Sequence, residues 1–182
     1  MDLREKKTRR ALRTAFKELR RTTPLERVAV KTLCERAEVG KATFYLHYHS
    51  VYDLSRELQN EVVDEMMDDL ADPMALLERP AEATRALFSS VAARREELDT
   101  LFSQGQEHVL AESLERELRR RIEEAAPERR GDVRLDVLLT YLVEGAYHSY
   151  MRLARSSEPE RADRVIEAIG EASEAVVRAM LR

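Results

Sequence analysis

Apolar residues in this chain recur every three to four positions, and nowhere do they alternate. That period belongs to helices with one buried stripe and gives no support to a sheet. Pro24, Pro73, Pro80, Pro127 and Pro159 punctuate the pattern, because proline cannot continue a helix from within. Helical spacing runs through residues 8–21, 30–37, 41–48, 51–70, 81–93, 95–103, 107–126, 131–153 and 162–181. Residues 1–7 read as a short basic arm. The expected fold class is all-α. With 43% apolar and 36% charged residues but only 5 glycines, the composition suits a packed helical protein better than a disordered one. At 182 residues the chain is long enough for one or two domains with a real core.

Charge is segregated along the chain. Residues 1–50 carry 13 Lys and Arg against 6 Asp and Glu, and the remainder carries 18 against 29, so a net charge of −4 conceals +7 followed by −11. All five lysines, Lys6, Lys7, Lys17, Lys31 and Lys41, lie in the first part. A basic end on an acidic body orients a molecule toward a polyanion.

The stretch 28–54 is the most specific. Leu33, Cys34 and Ala37 form one apolar face, Glu38-Val39-Gly40 breaks the helix, and a second short helix follows. Its period turns Phe44 and Tyr48 inward and leaves Lys41, Thr43, Tyr45 and His47 outward. A short helix with a basic start and hydrogen-bonding side chains suits the DNA major groove. In the preceding helix, Leu12, Ala15, Phe16 and Leu19 face inward, while Lys7, Arg9 and Arg10 are placed to meet phosphate.

Residues Lys41-Ala-Thr43-Phe-Tyr45-Leu-His47-Tyr48, with Ser50, Leu54 and the apolar spacing upstream, resemble the DNA-binding domain of the TetR family of transcriptional regulators. The resemblance covers roughly the first third of the chain. It implies a three-helix helix–turn–helix domain over 1–49, with the motif at about 29–48, and a helical regulatory and dimerisation bundle over 50–182. It implies base-edge contacts near Thr43, a phosphate contact by Tyr45, and Lys41 and His47 against the duplex. The full expected contact set is Val30, Gly40, Lys41, Ala42, Thr43, Tyr45, His47, Tyr48, Lys7, Arg9 and Arg10. Three positions depart from the family pattern. Glu38 stands where a corner glycine is usual; if that site needs a positive φ, the cost is about 1 kcal/mol. Val51 replaces a lysine, and Ala29 replaces a capping threonine.

Ser50 and Asp53 resemble a capping box at the start of helix 51–70. Leu54, Leu58, Val62 and Met66 stripe that helix, while Asp64, Glu65, Asp68 and Asp69 read as solvated rather than metal-binding. Leu87, Phe88, Val91, Leu98, Leu101 and Phe102 are expected core. Arg119-Arg-Arg121 reads as a solvated face or a partner contact. Helix 131–153 is apolar on two sides, Leu135, Leu138, Leu139 and Leu142 on one, Val137, Tyr141 and Met151 on another, so it must be covered twice. Either the last two helices complete an intramolecular core, or a symmetric copy packs them into a four-helix bundle. The resemblance implies the second, a homodimer, with Leu135, Leu138, Leu142, Ile166, Ile169, Val176 and Val177 at the interface. It also implies a small-molecule effector pocket in the body, to which Phe88, Phe102, Tyr141, Tyr147 and His148 are assigned.

No catalytic motif, P-loop or dinucleotide fingerprint is present, so no enzyme activity, cofactor or metal is expected. Cys34 reads as a small buried thiol, and His108 and His148 as satisfied residues rather than bases or ligands. No apolar run approaches the ~20 residues that span a bilayer, and a cytoplasmic location is the expectation. Together these readings make the chain a TetR-like repressor that grips a near-palindromic operator as a dimer and is released by an effector. The alternative is a TetR-fold protein that acts through protein partners, as co-activator or DNA-bridging adaptor, with no effector.

Overall fold

A computed structural model describes residues 3–70, 72–154 and 158–181. Among these residues there are ten α-helices and no strand: α1 Leu3–Arg20, α2 Val30–Arg36, α3 Lys41–His47, α4 Val51–Asp69, α5 Ala75–Glu78, α6 Pro80–Ala93, α7 Arg95–Leu101, α8 Glu107–Ala125, α9 Val133–Leu153 and α10 Pro159–Leu181. The all-helical expectation holds. None of the described helices is long and apolar enough to cross a membrane.

Two differences come from local signals that periodicity misses. The expected arm at 1–7 is helical from Leu3 onward, and Pro80 and Pro159 begin helices rather than merely separating them. Proline fits a helix start because its missing N–H has no acceptor there and its φ is already helical. The short α5 has no periodic stripe to announce it, yet Ala75, Leu76 and Leu77 are all buried.

Contacts divide the chain into two compact units that no single cut near residue 50 produces. One runs to Val62 and includes Glu96–His108; the other takes Val63–Arg95 and the chain from Val109 onward. In the first unit, Leu12 and Phe16 of α1, Leu33 and Cys34 of α2, Phe44 of α3, Leu54 and Leu58 of α4, and Leu98, Leu101 and Phe102 are all buried. Burial pushes the Cys34 thiol up, which suits a packing role. Polar ties hold the inserted segment there. Gln59 donates to the Leu101 carbonyl (3.0 Å). Arg20, fully buried, donates to the carbonyls of Thr23 (2.7 Å) and Ser103 (3.1 Å). Its Nε has no hydrogen-bond partner among the described residues, but Glu26 and Glu107 favour its charge through space, and its charge-assisted bonds satisfy carbonyls that follow helix ends.

In the second unit, α10 lies against α6 and α9. A Cβ on Gly170 would sit 3.3 Å from the Ala81 Cα, so glycine permits this close approach of α10 to α6. Leu135, Leu138 and Leu139 of α9 are fully buried, as are Leu118 and Ile122 of α8. Of the exposed acidic residues of α4, Asp69 pairs with Arg94 (2.6 Å), Glu65 with Arg94 (3.4 Å) and Asp68 with Arg121 (2.8 Å). The Arg119–Arg121 run is engaged likewise, Arg119 with Glu115 and Asp136, Arg120 with Glu117 and Glu124 (2.6 Å), and Arg121 with Glu117 (2.7 Å). The described residues contain no cluster of His, Cys, Asp and Glu able to hold a metal ion.

Candidate functional site

The corner between α2 and α3 is built by backbone. Ala29 begins α2 without a side-chain cap. At the other end, Val39 N–H donates to the Cys34 carbonyl (2.9 Å) and Glu38 N–H to the Glu35 carbonyl (3.3 Å). This is the Schellman pattern, which requires a left-handed residue just past the helix. That residue is Glu38, at φ 54°, so the conditional strain read from the sequence is met. Gly40, by contrast, is extended (φ −67°, ψ 145°) and caps α3 through its backbone alone.

α3 has only seven residues, too few to be stable alone. It is anchored by Phe44, which is fully buried and meets the Tyr45 ring edge-on (5.3 Å) and the Tyr48 ring at a tilt (5.8 Å). Lys41, Ala42, Tyr45 and Leu46 are exposed, and Thr43 and His47 half-buried. Among the described residues, no hydrogen bond or ion pair engages the side chains of Lys41, Thr43, Tyr45 or His47. The helix contains no carboxylate. The outward face expected from periodicity is therefore present, and its polar groups are uncommitted. Val30, at the start of α2, is half-buried.

Tyr48 is placed differently from the rest of the contact set. Its ring is buried, its hydroxyl donates to Glu57 Oε1 (3.0 Å), and the Arg9 guanidinium lies 5.7 Å from the ring centre. Burial, then the bond to Glu57, pushes its pKa up to about 12. The inward placement follows the i, i+4 relation to Phe44, and it leaves no open hydroxyl for phosphate. Arg9 is likewise occupied, bonded to Glu57 at 2.5 Å.

Arg9 is one of a stripe. Arg13 pairs with Glu61 and lies 3.6 Å from Glu57, Lys17 pairs with Glu97, and Arg21 with Glu96 (2.5 Å). Residues 9, 13, 17 and 21 thus meet carboxylates of α4 and α7. Counting those helices, the first unit holds 14 Lys and Arg against 13 Asp and Glu, a formal +1. The +7 counted along residues 1–50 is not the charge of the folded unit. Among the described residues, no carboxylate pairs with Lys6, Lys7, Arg10, Arg27 or Lys41, so Lys7, Arg10 and Lys41 of the expected set remain open.

The second unit holds an apolar cavity of about 60 Å³, lined by Met66, Phe88, Leu118, Leu142 and Tyr147 with the hydroxyl-bearing Thr84 and Ser173. A cavity of ~150 Å³ admits benzene, so an organic effector of ordinary size requires this one to expand. Of the residues assigned to a pocket, Phe88 and Tyr147 line it. Phe102 is buried in the first unit. Tyr141 is 64% exposed, and His148 is an exposed residue 3.1 Å from Glu144. An aromatic stripe on a two-faced helix does not say which face is inward, and here Tyr141 took the outer one.

The same ambiguity bears on the expected interface. Leu135, Leu138, Leu142, Ile169 and Val177 are buried within this one chain, and Ile166 and Val176 are half-buried. The uncovered face of α9 is Val133 (70% exposed), Val137 (53%) and Tyr141. Toward the C-terminal end of α9, Leu153, Val165, Ala168 and Ala172, with Arg161 and Arg164, line an open groove of about 480 Å³. Leu46 of α3 and Tyr52 of α4, both exposed, were not singled out by sequence. Their signal was an apolar residue at a position the helical period turns outward.

Neither a protein-family model nor a curated protein matches the chain.

Two outcomes follow from this geometry. Glu38→Gly and Glu38→Ala both remove the carboxylate but only glycine relieves the left-handed penalty, so the glycine variant is expected to be more stable than the alanine one by about 1 kcal/mol, measured by urea unfolding; no difference between them would mean that the turn is unstrained. Tyr48→Phe deletes a bond to a carboxylate and is expected to cost about 1.5–3 kcal/mol near neutrality. Because the folded-state pKa is raised from 10.0 to about 12, the contribution is whole below pH 10 and is lost as pH climbs toward 12. The stability gap between wild type and Tyr48→Phe should therefore narrow across that window. A gap that stays constant to pH 12 would contradict the buried bond.

Proposed function

We propose that this protein is a TetR-like transcriptional regulator, a repressor that binds a near-palindromic DNA operator as a homodimer. The observation that carries the reading is the outward face of α3: basic at its start, free of carboxylates, with no hydrogen bond or ion pair on the side chains of Lys41, Thr43, Tyr45 and His47 among the described residues. Within this reading α1, α2 and α3 form the helix–turn–helix domain. α3 enters the major groove, Thr43 and Lys41 meet base edges, and Tyr45 and His47 lie against the duplex. Lys7 and Arg10 meet phosphate. Arg9 and Tyr48 act one step back, by holding the C-terminal end of α3 through Glu57.

Two copies would set their α3 helices about 34–36 Å apart, in successive major grooves. The face that a second copy covers is the uncovered side of α9, Val133, Val137 and Tyr141, with the exposed alanines of α10, rather than the leucines already buried. Release by an effector requires a ligand that prefers the arrangement unable to bind DNA, and a body whose cavity opens beyond its present volume. That small cavity favours the second reading in one respect: a TetR-like protein working through protein partners needs no effector.

Selection of bound sequences from a random duplex pool tests the reading directly. Thr43→Ala and Lys41→Ala are each expected to weaken binding to the selected site by about 1–3 kcal/mol and relax preference at the base contacted. Unchanged affinity and preference in both variants would reject these roles. For the dimer, the pair Val137→Asp and Tyr141→Asp should leave helicity intact and halve the mass seen in sedimentation. If the wild type already sediments as a single chain, the symmetric arrangement fails.

A further inference from the structure

Leu46 is the most exposed of the large apolar side chains described, at 82%. A lone surface leucine needs no explanation, but this one has a particular setting. It follows Ala42 by four residues and Tyr45 by one, so the three share the open face of α3, and all are exposed. Lys41 and His47 bracket that face, and no carboxylate lies on the helix. An apolar side chain surrounded by donors and positive charge matches a surface that is anionic overall and apolar only in places. The major groove is such a surface: its polar edges are interrupted by the 5-methyl groups of thymine.

Resting on the reading of α3 as the groove-entering helix, we infer that Leu46 recognises thymine by packing on its 5-methyl group, with Ala42 leaving room one turn earlier. Leucine makes no hydrogen bond. It selects thymine both by covering the methyl and by leaving the amino group of cytosine or adenine without an acceptor if either takes that place. The preference is thus set by a contact unlike the hydrogen bonds assigned to Thr43 and Lys41.

Deoxyuridine removes only the methyl. Each thymine of the selected duplex is replaced by deoxyuridine in turn, and binding of the full-length protein is measured. The expected result is one position per half-site where wild type loses about fourfold in affinity, the worth of one buried carbon. In Leu46→Ala that loss should vanish while responses at other thymines are unchanged. Thermal unfolding should match wild type, since the side chain is exposed. A wild type indifferent to every replacement, or a Leu46→Ala variant that keeps the full response, overturns the inference and leaves the operator reading standing. Failure to enrich any sequence overturns both.

Discussion

One buried phenol governs where the short α3 helix points. Seven residues cannot hold a helix against solvent, so the direction of α3 is set by what its ends are fastened to. At the far end Tyr48 leaves the helix in an extended conformation, slides its ring under Arg9 and donates to Glu57 of α4. Two residues on, Ser50 accepts from Asp53 N–H (3.2 Å), and Asp53 accepts from His49 N–H (3.1 Å). This differs from a reciprocal capping box by one residue, since the aspartate reaches the residue before the cap. Its effect is to define the bend between α3 and α4. With Phe44 filling the core and the Schellman turn closing α2, the outward face is what remains after every anchoring group has been used.

The α1 stripe shows why charge counted along a chain differs from charge presented by a fold. Arg9, Arg13, Lys17 and Arg21 look like a phosphate-binding edge when read as a helix wheel. Their carboxylate partners lie 48 to 80 residues away for Arg9, Arg13 and Lys17, and no local pattern reveals such pairing. Each pair is partly exposed and contributes at most about 1 kcal/mol. Their larger consequence is placement: they tie α4 and α7 to α1 and its C-terminal end and neutralise four cations that a count along the chain leaves open. What remains basic is local, around Lys6, Lys7, Arg10 and Lys41, rather than spread over the unit.

The legibility of this chain follows the same division. Period alone located nine of the helices and separated Phe44 and Tyr48 from the outward residues of α3, because both depend only on near neighbours. The left-handed corner at Glu38 could be anticipated as a condition, since the family that the stretch resembles usually has glycine there. What stayed hidden were choices among non-local partners. Leu135 and Leu138 could serve a second chain or their own, and their own won, leaving Val133 and Val137 uncovered. Phe102 and Tyr147 look alike in sequence, yet one packs in the first unit and the other lines the cavity of the second. Glu96–His108 joins the first unit through Arg20, Gln59 and α7, an excursion that no composition shift marks.

Glu38, like Gln104 at φ 56°, is a non-glycine residue held in the left-handed region, and its position gives that disagreement between local chemistry and fold a direction. The left-handed cost falls on an exposed residue whose side chain makes no bond among the described residues. Part of it is offset, because a carboxylate near the N-terminus of α3 interacts favourably with the helix dipole, by about 0.3–1 kcal/mol at an exposed site. Under the proposed function the same charge would stand beside phosphate and repel it. Phosphate attraction is the sequence-independent part of DNA affinity, and base contacts supply the discrimination. A carboxylate at the corner lowers the first without touching the second, as does the pairing of Arg9 and Arg13 with Glu57 and Glu61. Both features bias such a protein toward weak binding on arbitrary duplex, so that Thr43, Lys41 and Leu46 decide where it stays.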